Sequence, residues 1–151
     1  MEGNTGGGFT QGISTAVGAS VTLEIGTMLI NPTRQPVTVE NVHVIRLDPA
    51  LRFDGWRLDK PIVSGGRSTL MANTTPFPPT TPGVQTSPVV GPSRTRNSDG
   101  RLIGDVAVAF GVTMLKAGSY EASGVQVDYR NTSGTHRVTL CTTCRFDFHT
   151  P

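Results

Sequence analysis

The sequence predicts an all-β protein, an antiparallel β-sandwich of about seven strands. Three observations carry that expectation. In the C-terminal third, apolar residues recur at alternate positions: Val106, Val108, Phe110, Val112 and Met114, then Val125, Val127 and Tyr129, then Val138, Leu140, Cys144, Phe146 and Phe148. Period two buries one face of a strand, and three such runs joined by Gly-containing turns make an antiparallel sheet over a core. Charged residues are only 16% of the chain, against 18 Gly and 11 Pro. That balance suits many turns and does not supply the Glu, Lys and Leu of amphipathic helices. Finally, 151 residues suffice for one domain whose core needs no metal or disulfide staple.

Read in order, residues 1–18 are Gly-rich at the start and predict a flexible N-terminal stub, either of the kind that follows a signal or membrane anchor or an ordinary cytosolic N-terminus. A single sandwich domain is expected over residues 19–151. Val21, Leu23, Ile25 and Leu29 define the inner face of a first strand, while Met28 and Ile30 break its polar face and imply cover on both sides. Asn31-Pro32-Thr33-Arg34-Gln35-Pro36 is a turn, since neither proline can donate to a central ladder. Val37 and Val39 open a second strand. The phase then slips to Val42 and Val44 after Glu40-Asn41, which marks a β-bulge or a strand bending between sheets.

Leu51 to Leu58 reads as a hairpin around Asp54-Gly55, with Leu51, Phe53, Trp56 and Leu58 on one face and Arg52 and Arg57 on the other. Trp56 is expected to be substantially buried with Phe53. Ile62-Val63 and Ser68-Thr69-Leu70-Met71 flank a second turn at Ser64-Gly65-Gly66. The pattern then stops: residues 72–100 hold six prolines among Thr, Ser, Gly and Asn, and predict a long mobile Pro-rich loop or functional arm. The strand from Val106 carries Ala107, Ala109, Gly111 and Thr113 on its second face. Such small residues suggest close cover by another segment, with the Pro-rich arm as the candidate. A corner at Lys116-Ala117-Gly118-Ser119-Tyr120 and a turn at Asn131-Thr132-Ser133-Gly134 complete the chain.

Two segments carry a resemblance. Asn31 through Val39 resembles the first hairpin of bacterial surface sandwich domains, where an Asn-Pro turn leads into a Val-Thr strand. Ala117-Gly118-Ser119-Tyr120, followed by Val125-Gln126-Val127, resembles the corner before the penultimate strand of immunoglobulin-like and fibronectin-like domains, where a Tyr hydroxyl bonds back to the backbone. The resemblance implies an immunoglobulin-like sandwich with a long Pro-rich insertion.

The candidate chemistry is sparse. Cys141-Thr142-Thr143-Cys144 with His149 spells C-x2-C-x4-H. Three readings are open: two free thiols, a disulfide across a local turn, or a metal site. Parity on a regular strand favours free thiols, with Cys144 on the core face and Cys141 opposite and more accessible. His149 shares the Cys141 face but lies about 26 Å along the strand, and zinc wants four ligands. Asp48, Asp54 and Asp59 offer oxygens for calcium in a turn region, with plain turn chemistry as the other reading. Asn73-Thr74-Thr75 and Asn131-Thr132-Ser133 are glycosylation sequons. No catalytic grouping is expected, and no cofactor.

The net charge is +2, with no concentrated basic run, so nucleic acid is not an expected partner. No apolar run approaches the length of a membrane span. The expected role is therefore a non-enzymatic extracytoplasmic module, secreted, periplasmic or at the cell surface, contacting another protein or a cell-surface component. Two alternatives are a self-associating subunit of a virion, tail or fibre using the Pro-rich arm, and a small metal or redox protein using the two cysteines.

Overall fold

The computed structural model describes residues 1–3, 8–60, 62–64, 67–69, 76–78 and 85–151. Among them the chain is all-β. Seven strands have five residues or more: β2 (Thr10–Ser14), β3 (Ser20–Ile30), β4 (Val37–Leu47), β5 (Leu51–Asp59), β10 (Val106–Met114), β11 (Ser119–Asn131) and β12 (Gly134–His149). Five short strands join them: β1 (Glu2–Gly3), β6 (Ile62–Ser64), β7 (Arg67–Thr69), β8 (Gln85–Thr86) and β9 (Val89–Val90). One sheet has the order β1-β3-β10-β5-β8 and the other β2-β12-β11-β4-β9, while β6 and β7 form a separate hairpin. All pairs are antiparallel except β2 with β12. No helix among the described residues is long and apolar enough to cross a membrane.

The alternating residues meet in one core between the sheets. Phe110 of β10 and Phe146 of β12 are fully buried and meet edge to face at 5.8 Å. Phe53 stacks on Phe110 at 6.0 Å, and Phe9 meets Phe146 at 5.4 Å. Aromatic pairs of this geometry add about 0.5–1.5 kcal/mol each beyond area burial. Val21, Leu23, Ile25 and Leu29 lie in the core as their spacing predicts.

Bulges reset the phase in several strands. In β4, Tyr129 faces Val39 and Asp128 faces Asn41, so Glu40 is the extra residue. Val39 and Val42 are therefore both buried, and the slip in the sequence is a bulge within one strand. Leu51 to Leu58 is not a hairpin. It runs straight through β5, where Gly111 faces Gly55 and Val112 faces Phe53. Asp54 is the extra residue and Gly55 takes φ +125°, a conformation that L side chains resist. The bulge flips the parity between Phe53 and Trp56, so both still pack against the core with Leu51 and Leu58. Trp56 is half-buried rather than central.

Two further expectations are corrected. Residues 1–18 are not wholly a stub: β1 pairs with the end of β3, and β2 adds to β12 with Ile13 in the core. A Gly-rich stretch without periodicity conceals such edge strands, because their pairing partner is remote. Residues 72–100, expected to hold no packed strands, carry two short ones. Residues 72–75 and 79–84 lie outside the described residues, but β8 extends β5, β9 extends β4, and Val90 is buried in the core.

The arm also covers the outer face of β10 at Gly111, in a strand whose every residue is buried. Thr22 donates to the Pro76 carbonyl at 3.1 Å, and Phe77 lies over Gly55 and Gly111. A Cβ built on Gly111 would come within 2.5 Å of the Phe77 ring. Gly111 on that face thus receives the close cover its size implies. Gly111→Val should cost about 1–3 kcal/mol through this overlap, read as a lower urea midpoint. An unchanged midpoint would mean that Phe77 does not rest on the sheet.

Candidate functional site

The sequence candidates disperse in the fold. Cys141 and Cys144 are joined in a disulfide, with Cα atoms 5.6 Å apart, and both are buried. The free-thiol reading is corrected, and with it the expectation of an accessible Cys141. Parity fails because β12 bulges: the two steps from Ser123 to Val125 face the four steps from Arg145 back to Cys141. The detour turns both sulfurs to one side. The N-terminal segment crosses it, with Gly8 against Thr143 and the Phe9 carbonyl accepting from the Arg145 amide at 2.8 Å.

A disulfide offers no thiolate to a metal, so two of the three candidate ligands are occupied. His149 sits beyond the bulge, in register with Ser119 and Ser14. It lines an open cleft of about 510 Å³ with Asp48, Glu121, Arg145 and Asp147. Arg145 pairs there with Asp147 at 2.6 Å and Glu121 at 3.3 Å.

The calcium candidates are also separated. Asp48 accepts from the Ala50 amide in a turn. Asp59 pairs with Arg57 at 2.6 Å, both buried. Asp54 accepts from Ser20, Arg52 and Thr113. Burial pushes its carboxyl up, but the bonds from Thr113, Arg52 and Ser20 outweigh this and hold it below the usual value. Among the described residues no three His, Cys, Asp or Glu side chains are grouped to hold a metal. Of the sequons, Asn131 is engaged by Ser133 within its own turn, and Asn73 lies outside the described residues.

What the fold does assemble is an arginine-lined cleft of about 490 Å³. One wall is the Asn31 turn, giving Pro32, Thr33 and Arg34. The other is the distal part of the arm, giving Ser93, Arg94 and Arg96. The hinge between them is Asn31, which is fully buried. Its amide donates to Ser93 Oγ at 2.9 Å, and its carbonyl accepts from the Ser93 amide at 2.8 Å. Its Nδ2 donates to the Gln35 and Val90 carbonyls at 2.8 and 3.1 Å, and its Oδ1 accepts from the Thr33 amide and hydroxyl. A buried amide satisfied on every side fixes the turn against the arm.

Beyond it the chain makes a small hairpin. The Ile103 amide donates to the Thr95 carbonyl and the Asn97 amide to the Arg101 carbonyl, both at 2.9 Å. Asn97 Oδ1 accepts from the Asp99 and Arg101 amides, and Gly100 takes φ +77°. Arg96 is steadied by a 2.6 Å bond to the Gly100 carbonyl.

Unpaired arginines cluster around this cleft, although Arg46 on β4 is also exposed and in no ion pair among the described residues. Arg52, Arg57, Arg130, Arg137 and Arg145 each pair with a carboxylate. Arg34, Arg94, Arg96 and Arg101 are exposed and make no such pair among the described residues. Sequence reading missed this concentration because Arg34 is remote in the chain from the other three. The visible signal was local only: Arg94-Thr95-Arg96 beside an Asn-Ser-Asp-Gly turn and Arg101.

The outer face of the second sheet carries a paired network instead. Arg137 and His43 both bind Asp128, at 2.7 Å each. No family model, curated protein or solved structure matches this chain.

Two outcomes are expected. Alkylation of the native, unreduced protein should add no mass, and reduction should expose two thiols. Cys141→Ala with Cys144→Ala should cost about 2 kcal/mol, the loop-closure value for so short a ring. Any native alkylation would contradict the disulfide. The second concerns Asp128, held at about 2, below the ordinary 3.8, mainly by the Arg137 hydrogen bond and then by His43. A depressed carboxyl stabilises the fold fully above its unfolded value and loses this as pH falls through the folded one. Asp128→Asn should therefore be less stable at pH 7 and lose less stability than the wild type between about pH 4 and 2. Parallel acid-unfolding curves would contradict it.

Proposed function

We propose that this chain is a non-enzymatic extracytoplasmic binding module with an immunoglobulin-like sandwich fold. The observation that carries the compartment is the Cys141–Cys144 disulfide, since such bonds persist in oxidising surroundings and are rare in the cytosol. The immunoglobulin-like type is supported by strand order. Taking β2, β3, β4, β5, β10, β11 and β12 as strands A to G, the sheet β3-β10-β5 has the B-E-D order and β12-β11-β4 the G-F-C order. Tyr120 opens β11, the F position, and its hydroxyl donates to the Ala117 carbonyl at 2.9 Å, as the corner motif requires. Binding is the role supported by the arginine-lined cleft, held on a rigid frame at the junction of turn and arm; such loops are where sandwich domains carry recognition.

The second reading, a self-associating subunit of a larger assembly, draws on β12. Only Arg145–His149 pair with β2, so among the described residues the rest of this 16-residue strand makes no ladder pair on that edge, and an unladdered strand edge is where other chains add on. Light scattering tests it, a monomer at high concentration counting against it.

The compartment is tested on intact cells of the source organism. A membrane-impermeant amine reagent should label the exposed Lys60 and Lys116 without lysis. Labelling only after lysis would refute the extracytoplasmic reading.

A further inference from the structure

We propose that the arginine-lined cleft binds an anionic glycopolymer, a sugar or polyol chain bearing repeated phosphate or carboxylate groups; this rests on the extracytoplasmic reading above. The cleft is open rather than enclosed, so it suits a segment of an extended chain better than a free small ion. Arg34 stands on one wall and Arg94 and Arg96 on the other, with Arg101 on the adjoining hairpin. Guanidinium forks match the geometry of phosphate and carboxylate oxygens and engage them in pairs.

Among the described residues these four gather at one place without carboxylate partners, whereas Arg46, the other exposed arginine in no ion pair, stands alone on β4 and five others are paired. The nearest acid in sequence is Asp99, whose amide is held at the hairpin tip by Asn97. The surrounding backbone is already ordered by Asn31, Ser93 and Asn97, so little ordering entropy opposes binding.

The lining also separates this partner from nucleic acid. Pro32, Pro92, Leu102, Thr33 and Ser93 complete the walls, and no aromatic side chain is among the cleft's described lining residues. Sites for single-stranded nucleic acid add to a cationic groove aromatic rings on which the bases stack, and this lining has none among its described residues. Apolar carbons and hydroxyls beside cations suit a sugar or polyol chain with charged groups.

The test measures binding of the whole chain to polyglycerol phosphate, polygalacturonate and an oligothymidylate at low and moderate salt. The comparison is a triple variant, Arg34→Gln, Arg94→Gln and Arg96→Gln, against Arg46→Gln, Arg130→Gln and Arg137→Gln, which removes equal charge elsewhere. All three cleft arginines are exposed, so the triple variant should keep its melting temperature. The wild type should bind at least one of the two glycopolymer probes, and the better one identifies the anion. The cleft variant should lose roughly tenfold or more in affinity, and its log–log salt slope should flatten by on the order of 0.7 per arginine. The control should retain most binding.

Three results overturn the proposal: no binding of either glycopolymer at low salt, equal losses in the two variants, or tighter binding of the oligothymidylate than of both. The outcome is separable from the compartment. A protein labelled on intact cells that binds neither polymer sinks this inference alone, whereas a polymer-binding protein labelled only after lysis sinks the extracytoplasmic reading.

Discussion

The structure depends on the burial of β10 on both of its faces. Its large side chains, Val106, Val108, Phe110, Val112 and Met114, fill the space between the sheets. On its other face Gly111 lets the arm lie close on the outside, and Ala107 and Ala109 are fully buried as well. A strand buried on both sides is unusual in an antiparallel sandwich, where one face normally meets water. Here the arm supplies the second layer through Pro76 and Phe77. The same requirement accounts for the polar groups buried on that outer face. Thr113 shares the Asp54 carboxylate with Ser20 and Arg52, and Arg57 is neutralised by Asp59, because a buried charge needs a partner close at hand.

That constraint places the cleft. The arm that leaves β5 returns along both sheets, adding β8 to β5 and β9 to β4. Val90 enters the core, and the next residues reach Asn31, whose amide is saturated by turn and arm together. The arginines that follow are therefore carried on a fixed backbone rather than on a swinging loop. The paired arginines lie mainly on strands, where a carboxylate on the same or the neighbouring strand is within reach, as with Arg137 and Asp128. The arginines on the turn and hairpin have no facing strand to supply one.

Bulges decide which side chains meet. Extra residues at Glu40 and Asp54 keep Val42 and Trp56 on the core side after a break in alternation. The detour at residues 141–144 brings two cysteines together that a regular strand would hold apart. In each case the local cost of an unpaired residue is offset by what the reset phase buries.

Much of the fold is written in the chain itself. Period-two apolar spacing determines the strands from Val21, Val37 and Val106 onward, the phase slip at Glu40-Asn41 announces a bulge, and small residues on β10 announce a cover, because each is a local consequence of side-chain alternation. Three features were settled only in three dimensions. Thr10–Ser14 becomes a strand because the edge of β12 is there to pair with it. Cys141 and Cys144 bond because β12 carries residues that β11 does not match. Arg34 joins Arg94 and Arg96 because Asn31 and Ser93 bind each other's backbone. Each depends on contacts between segments distant in sequence, and periodicity within a segment carries no information about its partner.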